Sequence, residues 1–165
     1  MFLYLLLNIG SFSIPFLYFF EKKMRFIKHW KAVLLSLTIV AAIFLIWDAI
    51  FTANGVWGFN ADYHINFMLF GMPIEEWLFF FCIPYASIFI HYSLAYFKPN
   101  LIISKKNTKL ITSVLMLILL PVIFLNTGKA YTFVNYSFLV FVLLLGFFFG
   151  LKHLQRFYIS FVIIL

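Results

Sequence analysis

Three carboxylates stand in apolar sequence, where carboxylates are rare. Asp48 lies within Ile46-Trp47-Asp48-Ala49-Ile50-Phe51. Glu75 and Glu76 follow Pro73-Ile74 and precede Trp77-Leu78-Phe79-Phe80-Phe81. An acid held in hydrocarbon is costly and usually faces a cavity or a proton path. Acids grouped this way suit general acid–base work, in which one group gives a proton and another takes one. Neighbouring helical positions point about 100° apart, so Glu75 and Glu76 are expected to differ in role. One is then an acid and the other a structural or charge-balancing partner. A plainer reading of Pro73-Ile74-Glu75-Glu76 is a helix start, with Pro in the first turn and acids against the positive end of the dipole. The apolar Phe67-Met68-Leu69-Phe70 upstream points instead to Pro73 kinking a span already under way. Asp48 comes late in its own span, where the helix dipole disfavours a negative charge. That placement also argues for a task.

Aromatic residues crowd the same stretch. Trp47, Trp57 and Trp77 come with Phe51, Phe59, Phe79 and Phe80. They fit an interfacial aromatic belt or a cavity lined by π faces, which would stabilise a transient cation and exclude the water that quenches it. Trp47, Trp57, Pro73, Trp77 and Phe80 are the expected substrate-binding residues. Metal chemistry has no comparable support. His29, His64, His91 and His153 form no pair at helical ligand spacing, and Cys82 is alone. Clustered His ligands of a di-iron desaturase, an Asp-rich magnesium–diphosphate sequence and a Gly-rich nucleotide loop are all missing, so neither metal nor cofactor is expected. His64, in the loop between Asp48 and Glu75, could reach the acids.

The elements that must position these residues are membrane helices. The chain has 165 residues, 65% hydrophobic, 23% aromatic and 10% charged, with 25 Phe. A soluble domain has about 45–50% apolar and about 25% charged residues, so there is too little polar surface here to coat a soluble globule. Apolar runs near the length that crosses about 30 Å of hydrocarbon cover Phe2–Phe20, Ala32–Ala53, Phe67–Ala95 (overlong), Leu110–Leu125 and Phe133–Leu151. A sixth begins at Phe157 and reaches Leu165. Its nine residues would span about 13 Å. An open strand edge cannot face lipid, so the predicted fold is all-α: an integral membrane bundle of five full spans and a truncated sixth. The first run has no cleavage site after it and is read as a retained helix.

The net charge of +7 is distributed as a topology signal rather than as a nucleic-acid patch. Eleven of the twelve basic residues lie in alternate loops: Lys22 to Lys31, Lys98 to Lys109, and Lys152 with Arg156. Lys129 is the exception. Basic loops stay in the cytoplasm, which puts the N-terminus outside in a multi-pass protein of the cell membrane. Asp48, Asp62, Glu75 and Glu76 then gather toward the outer side. Spans two and three form an antiparallel hairpin, so Asp48, Glu75 and Glu76 share a depth.

Taken as a set, Trp47-Asp48, Gly55-Val56-Trp57 and Pro73-Ile74-Glu75-Glu76 with its Phe-rich continuation resemble the lycopene cyclase domain. This is the membrane-integral family of heterodimeric bacterial lycopene cyclases and of the cyclase domain in fungal bifunctional carotenoid enzymes. The resemblance covers roughly residues 2–95, one three-helix unit. It implies a redox-neutral isomerisation without flavin. A linear carotenoid end group takes a proton at its terminal double bond, the cation closes a six-membered ring, and a second proton leaves. It also implies Glu75 and Glu76 as leading acids and Asp48 as a group for proton handling or orientation, with the order of roles open.

Members of the family often carry two such units, fused or as separate subunits. Arg25-Phe26 recurs as Arg156-Phe157 after a Phe-rich span, so the fifth span reads as the first again. The expected organisation is a first unit at 1–95, a basic loop and linker helix at 96–131, and the start of a second unit at 132–165. The second acidic hairpin would lie past Leu165. Expected partners are the bilayer, a hydrophobic polyene substrate, and a second three-helix cyclase unit or a second copy. The competing function is a proton-coupled carrier subunit or a noncatalytic assembly subunit. A carrier would need acids in both leaflets, whereas Glu21 alone stands away from the outer group.

Overall fold

A computed structural model describes residues 2–165. Its helices are α1 (Leu3–Leu17), α2 (Trp30–Ala53), α3 (Ile74–Phe97), α4 (Lys105–Leu125), α5 (Ala130–Phe149) and α6 (Leu151–Ile164). Short 3₁₀ turns at Tyr18–Phe20 and Phe26–His29 extend α1 and precede α2. With those turns, five helical stretches are long and apolar enough to cross a membrane. The protein is a helical, multi-pass membrane protein. Two compact units divide it, residues 1–96 and 97–165.

In the first unit, α2 buries one stripe: Val33, Leu37, Ala41, Leu45, Asp48 and Phe51. Spacings of three and four keep these residues on one helical face. At one end, Val33 and Leu37 pack with Met24, Phe26, Tyr85 and Phe89. Toward the other end, Ala41 and Leu45 pack with Met72. Asp48 continues this buried stripe and is 7% exposed. The polar tip of Tyr85 donates to the Pro15 carbonyl at 3.4 Å, and Asn8 Nδ2 donates to the Glu75 carbonyl at 2.8 Å. Residue numbers rise together along these two contacts, so α1 and α3 run parallel.

The start of α3 differs from the sequence expectation. Phe67 to Phe70 do not belong to the helix. Met68–Leu69 (β1) and Met72–Pro73 (β2) pair antiparallel as a minimal hairpin, and α3 begins at Ile74. The two residues between the strands, Phe70 (φ 51) and Gly71 (φ 76), both have positive φ. That is the requirement of a tight two-residue hairpin turn. Pro73 therefore marks a helix start and not a kink. The apolar run upstream, Phe67 to Phe70, stays exposed, whereas Met72 in the second strand is fully buried, and the indole N–H of Trp77 donates to the Leu69 carbonyl at 3.3 Å.

In the second unit, Ser104 caps α4 by accepting from the Asn107 N–H at 3.2 Å. Lys105, Lys106 and Lys109 thus lie in the first turns of α4 rather than in a loop, where their long stems let the charges reach water. The sixth helix also starts earlier than expected. It begins at Leu151, directly after Gly150, so Lys152 and Arg156 are helical. Its 14 residues span about 21 Å. A polar seam explains the earlier start. Gln155, Tyr158 and Ser160 are its buried residues, with Thr112 Oγ1 and Tyr158 OH 2.6 Å apart. Gln155 also clamps Ile103, donating from Nε2 to the Ile103 carbonyl at 2.7 Å and accepting from the Ile103 N–H at 3.0 Å.

Candidate functional site

The three acids converge where α2 ends and α3 begins. Asp48 is five residues from the end of α2, and Glu75 and Glu76 are the second and third residues of α3. The buried stripe of α2 aims Asp48 at α3. Asp48 and Glu75 both act electrostatically on Glu76, so the carboxylates form one cluster.

Their surroundings differ sharply. Glu75 is 1% exposed. Its Oε1 accepts from the backbone N–H of Ile65 at 2.7 Å, and its main-chain carbonyl accepts from Asn8 on α1. The loop is tied to α1 as well, since the Tyr4 N–H donates to the Tyr63 carbonyl at 3.2 Å. His64, 4% exposed, points its Nδ1 back to accept from the Asn66 N–H at 3.0 Å. His64 itself is held within the loop, and it is its neighbour Ile65 that reaches the acids. Asp48 receives a side-chain hydrogen bond from Trp57, whose indole N–H also lies 3.1 Å from Thr52 Oγ1. Glu76 is half-buried, and among the described residues no hydrogen bond fixes it.

Aromatic rings form a continuous chain beside Asp48 and Glu76. Phe80 stacks on Phe44 (6.1 Å), Phe44 on Trp47 (5.5 Å), Trp47 meets Phe51 (5.7 Å), and Phe51 meets Trp57 (5.2 Å). Phe80 is one turn beyond Glu76, which puts ring and carboxyl on the same side of α3. Trp77 turns to another side. It packs on Phe70 at 5.9 Å and lines a groove of about 590 Å³ with Ala41, Ala42, Leu45, Ala49 and Phe70. A second apolar groove, about 280 Å³, shares Phe81 with the first and includes Phe16, Trp30 and Leu34. The α2 residues lining the two run from Trp30 to Ile50, about 30 Å of helix. Pro73 is fully buried at the helix start. The structure thus brings Trp47, Trp57 and Phe80 together with Asp48 and Glu76, and places Trp77 on the groove.

Asn8 is a site neighbour that the sequence reading did not single out. Its signal was available: a lone amide in the Leu-rich run Leu5-Leu6-Leu7-Asn8-Ile9, where a polar side chain is expected to face protein rather than lipid.

These features define a helical membrane protein with an acid cluster and an aromatic wall at one end of a three-helix unit. Residues 1–94 match the lycopene cyclase family. The match takes in α1, α2 and nearly all of α3, with Asp48, Glu75 and Glu76 inside it. The chain belongs to the lycopene cyclase family, and at the family level its role is that of a carotenoid cyclase. No curated protein and no solved structure matches the chain.

Proposed function

We propose that the protein is an isomerase that closes the linear end group of lycopene, or of a similar polyene, into an ionone ring. The observation that carries this reading is the division of labour among three clustered carboxylates. Glu75 is occupied by the loop, Asp48 accepts from an indole, and Glu76 is left unbonded beside the aromatic chain.

Glu76 is the proton donor. Its O–H bond breaks as a C–H bond forms at the terminal double bond of the substrate. The cation then draws electrons from the nearby double bond, forming the ring C–C bond. Asp48, oriented by Trp57, accepts a proton from the ring, and the C–H electron pair becomes the new ring double bond. The proton count is unchanged over the cycle and nothing is oxidised or reduced. The cycle closes when the proton on Asp48 returns to Glu76, directly or through water. The faces of Phe44, Trp47 and Phe80 stabilise the intermediate cation and exclude water from it.

The paired grooves support an elongated apolar substrate lying along α2. The acids are not among the lining residues, so the reacting end group leaves the groove near Ala49 and Ile50 to reach Asp48 and Glu76. The basic loops support an orientation in the cell membrane that leaves the acid cluster near the external face. A second three-helix unit, from another polypeptide or a second copy, is the proposed partner that covers the open grooves. Expression in lycopene-accumulating cells tests the reading, with and without such a unit. Ring-bearing carotenoids are expected in the membranes. Lycopene left unchanged under both conditions would favour the carrier or assembly reading.

A further inference from the structure

Helix α1 is inside out relative to its sequence. Its leucines Leu3, Leu6, Leu7 and Leu17 are exposed, and its buried residues are Asn8 and Pro15. Asn8 is 3% exposed. Its amide does not cap α1 or bond within it. Instead Nδ2 crosses to α3 and donates to the main-chain carbonyl of Glu75 at 2.8 Å. Two acceptors near this contact, Asn8 Oδ1 and Glu75 Oε2, are buried without a hydrogen-bond donor among the described residues. Such an arrangement is costly, because each buried acceptor has given up water without replacement. An apolar residue at position 8 would be cheaper for a helix whose other contacts with the unit are apolar, as at Phe12, or through the main chain, as at Pro15. A polar side chain kept at a cost to stability, next to the acid cluster, calls for a role in the site.

We propose that Asn8 is a positioning residue for the proton donor. It acts through Glu75, in three steps of connectivity. Asn8 fixes the main chain at Glu75, Glu75 Oε1 fixes the loop at Ile65, and the peptide that follows the Glu75 carbonyl is that of Glu76. Rotation of this first turn of α3 would swing the Glu76 carboxyl relative to Asp48. A misplacement of about 1 Å can cost on the order of 10²-fold in rate. The inference rests on the assignment of Glu76 as donor, but its test separates the two.

The test uses full-chain Asn8→Ala, Asn8→Ser and Asn8→Gln in membranes where the parent chain cyclises lycopene, with rates normalised to inserted protein. Asn8→Ala is expected to lower kcat about 10-fold or more with KM nearly unchanged. Asn8→Gln, which retains the amide, should recover part of the loss. In the double variant with Glu75→Ala, the losses should not multiply, because both act on one unit. Hydrogen exchange gives a readout independent of turnover: the Ile65 amide should exchange faster in Asn8→Ala than in the parent. Full kcat in Asn8→Ala, multiplicative losses, or unchanged exchange at Ile65 would overturn the proposal. Failure of all three variants to accumulate would also overturn it, making Asn8 a folding residue. An inactive parent would instead count against the cyclase reading, leaving the exchange measurement to decide the role of Asn8.

Discussion

The backbone N–H of Ile65 donates to Glu75 Oε1 at 2.7 Å, and this contact separates two glutamates that are neighbours in sequence. Glu75 is an anchor for the loop between α2 and α3. Glu76, one residue on and about 100° around the helix, feels the charge of Asp48 and shares a side of α3 with Phe80. The pair therefore combines a loop anchor at Glu75 with the proposed proton donor at Glu76.

In the proposed reaction the indole of Trp57 serves both as a π face next to Phe51 and as a donor to Asp48. Trp57→Phe removes the second and keeps most of the first. A hydrogen bond to a charged group contributes about 1.5–3 kcal/mol, so cyclisation should fall by roughly 10- to 100-fold. Asp48→Asn should fall further. Rates with Trp57→Phe equal to the parent would remove Asp48 orientation from the mechanism.

The hairpin that starts α3 makes a stability prediction. Gly71 has φ 76, and a Cβ there would meet Thr52 Cγ2 at a comfortable 3.8 Å. The cost of substitution is thus in the backbone and not in a clash. Gly71→Val should destabilise by about 1–2 kcal/mol, the usual penalty for left-handed geometry. Gly71→Asn should cost clearly less, since Asn tolerates that region. Thermal unfolding in detergent measures both, and equal losses would contradict the turn assignment.

Helix existence was legible in the sequence because length and hydropathy decide it. The boundaries of α3 were not. Phe67 to Phe70 are as apolar as a span, and hydropathy alone cannot tell a lipid-facing turn of helix from a hairpin that buries Met72. The same ambiguity hid the start of α6, where Lys152 and Arg156 read as a loop although Gln155 and Tyr158 form a helical seam. At the candidate site, the residue types and their shared depth could be read from spacing. The distinct environments of Glu75 and Glu76 could not, because they depend on Ile65 and Asn8, whose contributions are a backbone N–H and a contact 67 residues away.

The basic loops predict an orientation. A reporter inserted after Asn60 should read external, and one after Asn100, in the loop before α4, should read cytoplasmic. Reversed signals at both sites would place the acid cluster at the opposite face.

Glu21 gives a pH prediction away from the membrane spans. Its Oε2 accepts from the Met24 N–H at 2.6 Å. That bond, followed by the Lys23 N–H, holds its carboxyl below the ordinary 4.5. The Met24 carbonyl in turn accepts from Tyr92 OH on α3 at 2.7 Å. A depressed folded value means that the stabilisation is complete above the unfolded value and is lost as pH falls through the folded one. The difference in thermal midpoint between the parent and Glu21→Gln should therefore shrink as pH is lowered below 4.5. A difference independent of pH would contradict the role of the carboxylate.

The most direct test compares Glu76→Gln with Glu75→Gln in cells that accumulate lycopene and in which the parent chain forms cyclic carotenoid. Gln at 75 can still accept from Ile65, so that variant should keep measurable cyclisation at normal protein level. Gln at 76 cannot give up a proton, so its cyclic product should fall by about 10²–10⁴-fold, the range expected for loss of a general acid. Near-normal product from Glu76→Gln, or a full loss from Glu75→Gln with Glu76→Gln active, would contradict the assignment of Glu76 as the donor.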